Sequence, residues 1–318
     1  MPPIASEVCA LQDGSTVHVY NGHSVSASSE GNMCFKNSMS SIAVAAALYV
    51  AHGIGVQAQD VSKYPDWSGQ WKSAVNLLAT FGAQWDPSKP SGRGQQAPLT
   101  PEYQARFEAN LADQAAGGQG DNRYGYCLPV GMPRMMSVVY PMEIIITPKT
   151  TYILTDNSEP RRIFTDGREW PKEIEPSFSG LSIGTWVDAD SSGHYATLEV
   201  ETRGFRGPRT FEGSGIRLHD DDQTVIKERI YLDMSDKNIL VDEITTIDHA
   251  LTRPWIVDKR YSRGSDPHPI WHFNQCSENN PLVRIGNEGY YINAEGLLMP
   301  VKKGQRPPDL RYFESAGK

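Results

Sequence analysis

Thr224-Val225-Ile226-Lys227-Glu228-Arg229-Ile230-Tyr231-Leu232 changes character from one residue to the next. Successive side chains of a β-strand point to opposite faces, so this alternation predicts a half-buried strand. Ile226, Ile230 and Leu232 share one face, and Glu228 sits in the middle of it. Lys227 and Arg229 lie on the other face and cannot reach that carboxylate. A carboxylate on the apolar side of a strand either finds a partner or is pushed toward its neutral form. Two outcomes follow. An inward Arg from another strand pairs with Glu228, or its pKa rises and it is poised as an acid or base.

Working outward, the same period of two recurs at 138–147, 151–156, 161–165, 181–188, 195–202, 223–233, 238–248, 255–262 and 270–276. Turn formers separate these runs: Thr147-Pro148-Lys149, Asp156-Asn157, Asp166-Gly167, Ser235-Asp236 and Arg263-Gly264 among them. Many strands joined by short turns predict an antiparallel meander. About nine strands in one meander should close or nearly close, because closure removes exposed edges. The expected fold is therefore mainly β: a lipocalin-like barrel or strongly curved sheet, with one or two flanking helices. One helix is well marked. Thr100-Pro101-Glu102 supplies a cap, a first-turn proline and an acid, Tyr103, Phe107 and Leu111 form one apolar stripe, and Gly117-Gly118 ends it.

The chain has 318 residues and a formal net charge of -8. That disfavours a nucleic-acid partner, since phosphate binding needs a basic face. The most apolar run, 41–56, is short and rich in small residues for a membrane span. It reads as the core of a secretory signal: a basic start at Met33-Cys34-Phe35-Lys36, an apolar stretch from Ile42 to Val50, and Val56-Gln57-Ala58 before a new first residue at Gln59. The alternative is a buried helix of the domain. The expected organisation is a leader or mis-assigned start at 1–32, a signal peptide at 33–58, a lead-in segment and helix at 59–137, a barrel core at 138–280 and a peripheral tail at 281–318. Residues 59–318 then form one domain, periplasmic or otherwise exported, with no membrane span. Of four cysteines, Cys9 and Cys34 fall in the removed part. Cys127 and Cys276 remain, either as a disulfide, the simplest state of an even pair in an exported protein, or as two buried thiols. A bridge closing so long a loop could contribute roughly 4–5 kcal/mol.

Cys127-Leu128-Pro129-Val130-Gly131-Met132-Pro133-Arg134 resembles a block found in a large, poorly characterised family of exported bacterial proteins, common in sphingomonads and acidobacteria. Pro65-Asp66-Trp67-Ser68-Gly69, Arg161-Arg162-Ile163-Phe164-Thr165-Asp166-Gly167-Arg168, Thr252-Arg253-Pro254-Trp255 and Cys276-Ser277-Glu278-Asn279-Asn280 extend the resemblance. It implies an export signal and both cysteines, and no assigned activity. The stretch 187–194 is longer and more polar than the compact turn usual at that point in the family.

The histidines are scattered and no Cys-x-x-Cys spacing occurs, so no metal site is expected, and Asp220-Asp221-Asp222 reads as a solvated turn, with a weak cation site as the alternative. No phosphate loop or dinucleotide turn is present, so no cofactor is expected. What remains is carboxylates, arginines and aromatics on a barrel. Glu228, Tyr261 and His272 are the candidate catalytic residues. Arg134, Arg161, Tyr140, Trp186 and Trp255 are the candidate substrate contacts. Arg161 and Arg162 point to opposite faces, so at most one looks inward. These residues suit a cofactor-free, decarboxylase-type lyase acting on an aromatic or hydrophobic carboxylic acid. An Arg would hold the substrate carboxylate and Glu228 or a Tyr would move the proton. Two other readings stand beside it: a periplasmic carrier of a hydrophobic small molecule, and a structural envelope protein.

Overall fold

The computed structural model describes residues 8–13, 16–21, 61–74, 97–121, 123–137, 141–155, 158–211, 213–271, 276, 280–286 and 288–309. The chain divides into two compact units, Met1–Gln59 and Asp60–Lys318. In the first, β1 (Val8–Asp13) pairs antiparallel with β2 (Thr16–Asn21), so part of the expected leader is a hairpin. The expected signal peptide lies outside the described residues.

The second unit is built on a closed nine-stranded barrel. Its strands are β3 (Gln70–Ser73), β4 (Met142–Ile146), β5 (Thr150–Thr155), β6 (Arg161–Phe164), β7 (Leu181–Val187), β8 (Thr197–Arg203), β9 (Val225–Leu232), β10 (Ile239–Ile247) and β11 (Trp255–Arg263). They follow one another round the barrel in chain order. Eight of the nine expected runs begin or end within a few residues of a barrel strand. The remaining barrel strand is β3, not 270–276: Ile270, Trp271 and Cys276 lie outside any strand, and 272–275 are outside the described residues. β3 completes the closure by pairing Tyr261 with Ser73 on one side and Met142 with Trp71 on the other. The pairing is antiparallel throughout except between β6 and β7, which run parallel. The stretch 165–180 is long enough to bring the chain back to the same end.

Register decides which side chains look inward, because directly paired residues share a face. Glu228 stands opposite Val200 on β8 and Ile244 on β10. Val200 in turn opposes Gly184, and Ile244 opposes Val257. All of these belong to the inner face, whose core contains Ile153, Ile163, Leu198, Val200, Ile226, Ile230 and Ile244. The barrel is not left hollow. The segment 130–137 is taken into it, with Met132, Met135 and Met136 buried in the same core. Two inward-facing side chains of β11 hold that segment: Tyr261 donates to the Met136 carbonyl at 2.6 Å, and Lys259 to Ser137 Oγ at 3.1 Å. Gly131 lets the segment in. Its φ is +61°, and a Cβ there would sit 2.3 Å from the Phe178 carbonyl oxygen.

The helix α1 (Pro101–Ala115) forms as its sequence predicts, with Thr100 Oγ1 accepting from the Tyr103 amide. It buries Tyr103, Phe107 and Asn110. Phe107 joins Phe211, Ile216, Leu251, Trp255 and Val257 in a second core. The tail carries a three-stranded antiparallel sheet of β12 (Leu282–Ile285), β13 (Glu288–Ile292) and β14 (Leu298–Pro300). Lys302 Nζ ties the tail to the helix through Asp113 at 2.7 Å. A disulfide joins Cys127 to Cys276, across 149 residues of sequence. Among the described residues no helix is long and apolar enough to cross a membrane.

Candidate functional site

The middle of the barrel holds a buried polar layer. Arg161 enters from β6, where it pairs with Ile153 and therefore faces inward, while Arg162 is exposed. Its guanidinium reaches Glu228 on β9 through both carboxylate oxygens: Nη1 donates to Oε1 at 2.8 Å, and Nη2 donates to Oε2. The side chains are 1% and 0% exposed. Ser182 Oγ accepts from Nε at 3.3 Å, Thr202 Oγ1 accepts from Nη2 at 3.1 Å, and the two hydroxyls lie 2.9 Å apart. Every nitrogen of the guanidinium is thus used. Burial acts to lower the Arg161 pKa, but the charge and hydrogen bonds of Glu228 outweigh it and the pKa is raised.

Of the two outcomes open at Glu228, the pair is the one formed. Its partner comes from neither neighbouring strand, β8 or β10, but across the barrel from β6. An Arg locked by two hydrogen bonds to a buried carboxylate does not offer its fork to a substrate.

A second inward carboxylate lies one strand away. Asp242 on β10 is paired with Ile230 and Lys259 and is fully buried. Neither of its oxygens has a hydrogen-bond partner among the described residues. Burial first, then the charge of Glu228, pushes its pKa well above the carboxylate range, and Arg161 and Lys259 offset this only in part. Burial thus favours the neutral form of Asp242, while Glu228 has Arg161 as its partner. The sequence carried the same signal for both. In Leu240-Val241-Asp242-Glu243-Ile244 the Asp shares its face with Leu240 and Ile244, as Glu228 does with Ile226 and Ile230.

Tyr261 lies in this layer, fully buried, with its pKa raised well above the usual phenol range by burial and by Asp242 and Glu228. Its hydroxyl is engaged by the Met136 carbonyl. Trp186 is inward at one end of β7, in an aromatic group with Tyr64 at 5.3 Å, Trp67 at 4.9 Å and Tyr195 at 6.2 Å between ring centroids. Trp255 lies in the other core, 4.2 Å from the Phe211 ring. The two tryptophans expected to line one pocket thus sit in different clusters. Arg134 bonds Thr210 Oγ1 at 3.4 Å and helps fix the inserted segment. Tyr140 and His272 lie outside the described residues.

Two concavities stand out among the described residues, and the second is lined in part by Glu228 of this layer. One, of about 460 Å³, is lined by Arg106, Asp113, Asp121, Arg217, Arg284 and Lys302. Its charges are largely cross-paired, as in Arg217–Asp121 at 3.3 Å. The other, of about 670 Å³, lies chiefly on the outer faces of β7 to β11, among Trp170, Glu199, Lys227, Arg229, Glu243 and Ile256.

Comparison with protein families, with curated proteins and with solved structures finds no match.

Proposed function

We propose that a small hydrophobic or aromatic carboxylic acid binds within the barrel by displacing the methionines of the inserted segment 130–137, with Asp242 and Lys259 as its polar anchors. The observation that carries this reading is Asp242: a fully buried carboxyl with no hydrogen-bond partner among the described residues, whose pKa burial pushes upward. A protonated carboxyl can donate to a ligand carboxylate, and the Lys259 ammonium on the facing strand supplies the opposite charge. The wall beside them is Met132, Met135 and Met136, whose unbranched thioethers repack around varied apolar shapes. The role first considered for Arg161 passes to Lys259, and that of Glu228 to Asp242. On this reading the protein is an exported carrier, resembling the bacterial family of the Cys-x-Pro-x-Gly-Met-Pro-Arg block, with its mature chain starting at Gln59.

Turnover is the second reading, and the raised Asp242 pKa favours it. In a decarboxylation the carbon–carboxylate bond breaks and CO2 leaves. The bond's electrons delocalise into a phenol-bearing substrate, and Asp242 delivers the proton to carbon. No cofactor is required.

The test is calorimetric titration of the purified protein with a panel of aromatic and aliphatic acids, alongside Asp242→Asn and Lys259→Met. Binding of one class, weakened at least about tenfold in both variants, is the expected result. Product analysis of the same mixtures separates carrier from lyase. If no acid binds and both variants behave as wild type, the polar layer only knits the barrel together, as in a structural envelope protein.

A further inference from the structure

Val225 at the start of β9 pairs with Ile247 at the end of β10, so the chain entering one strand runs beside the chain leaving the other. That places His219-Asp220-Asp221 against Asp248-His249 at the barrel rim. Asp248 fastens the two together. Its Oδ1 accepts from the His219 amide at 3.0 Å and the Ala250 amide at 2.7 Å, and its Oδ2 accepts from Thr224 Oγ1 at 2.6 Å.

Three possible ligands converge there. Asp221 Oδ2 lies 2.6 Å from His249 Nδ1 and 3.1 Å from His219 Nδ1. One donor atom from each of His219, Asp221 and His249 falls within 4.8 Å of the other two. The surroundings orient them. The Tyr103 ring of α1 lies 5.7 Å from the His219 ring, and the His219 carbonyl accepts from the buried Arg209 at 3.0 Å. Asp221 Oδ1 accepts from the Gln223 amide at 3.3 Å, which leaves Oδ2 toward the imidazoles. Such second contacts are what hold metal ligands in place. Of the nearby cations, Arg217 is engaged by Asp220 and Asp121.

We propose that His219, Asp221 and His249 form a three-ligand site for a divalent first-row transition metal. Two imidazoles and one carboxylate suit zinc, cobalt or iron(II), and not magnesium or calcium, which take all-oxygen sites. Three protein ligands leave at least one position for water, as in open rather than closed metal sites, and the exposed His249 side turns that position to solvent. Binding replaces the hydrogen bond between His249 and Asp221, and releases the proton it held. No ligand of this site belongs to the interior layer, so it stands or falls apart from the carrier reading.

The experiment uses the full chain, stripped with a chelator and titrated with Co2+ while its visible absorption is followed, then with Zn2+ by calorimetry. One equivalent should bind at micromolar concentration or below, with a cobalt spectrum distinct from the aquo ion. His249→Ala and Asp221→Asn should each weaken binding at least about tenfold, and His268→Ala, on a separate exposed loop, should not. Circular dichroism checks that each variant folds, and the wild-type spectrum gives an answer even if one does not. No cobalt signal, equal affinity in the His249 or Asp221 variants, or displacement by millimolar Ca2+ would each overturn the site.

Discussion

The inner and outer faces of β8, β9 and β10 carry the same kinds of charge and use them differently. Outside, Arg229 lies between Glu199 at 3.5 Å and Glu243 at 2.8 Å, and Lys227 faces Glu201 at 3.4 Å. These groups are half exposed and have water as an alternative partner. Inside, Arg161 and Glu228 have no such alternative, and in Asp242 the same shortage of water pushes the carboxyl pKa upward. One residue's shift along a strand thus turns an ordinary surface charge into a group that must be paired or neutral. The faces differ in dielectric, not in composition.

The largest effect should come from breaking the inner pair. Glu228→Gln leaves the Arg161 charge buried without its counter-ion, which typically costs roughly 3–5 kcal/mol. Denaturant unfolding of the variant measures it. Replacing both members, Arg161→Met with Glu228→Leu, should recover most of that loss, since apolar pairs of similar volume are often no less stable. A double variant as unstable as Glu228→Gln would mean the pair does more than cancel charge.

Asp242→Asn should act in the opposite direction. The folded-state pKa of Asp242 lies above its ordinary value of 3.8. Below that value both folded and unfolded chains hold the proton. As pH rises past it, the unfolded chain ionises freely and the folded chain does not, so the wild type loses stability until its folded pKa is passed. The amide variant has no such slope. It should melt close to wild type at pH 4 and above it at pH 8. A melting difference independent of pH would show that Asp242 is ionised in the fold.

These two carboxylates also mark how far the sequence can be read. The alternation that found Glu228 gives the barrel, because period two survives in every long strand. It does not give β3, whose four residues Gln70-Trp71-Lys72-Ser73 are too few to show a period. Nor does it say that Arg161 meets Glu228, since strands β6 and β9 are not neighbours and only closure brings them together. The rim histidines show the same limit. His249 stands 28 residues from Asp221, at the far end of the β9–β10 hairpin, and no local spacing rule joins them.

Tyr261→Phe should give a smaller loss than Glu228→Gln. It removes the donor to the Met136 carbonyl and leaves a buried acceptor unmatched, at a cost of about 1–3 kcal/mol. Because the phenol pKa is raised, the loss should be the same from pH 5 to pH 9. A strong pH dependence would instead tie Tyr261 to the titration of Asp242.

The smallest effect should come from the outer face, at Glu243→Gln. Glu243 accepts from Arg229 and, at 2.9 Å, from the Tyr231 hydroxyl. Exposed pairs of this kind contribute about 0.2–1 kcal/mol, and added salt screens them. Glutamine keeps one acceptor, so the variant should unfold within that range of wild type, and the gap should close further in high salt. The local electrostatics should nevertheless register the change. Burial first, and then the Glu243 carboxylate, holds the Tyr231 phenol above its ordinary 10.0. Removing that carboxylate takes away one cause and leaves the other, so in an ultraviolet titration Tyr231 should ionise earlier than in wild type yet not as early as a fully solvated phenol. If Glu243→Gln cost as much as Glu228→Gln, the outer face would be as dry as the inner one, and burial would no longer separate them.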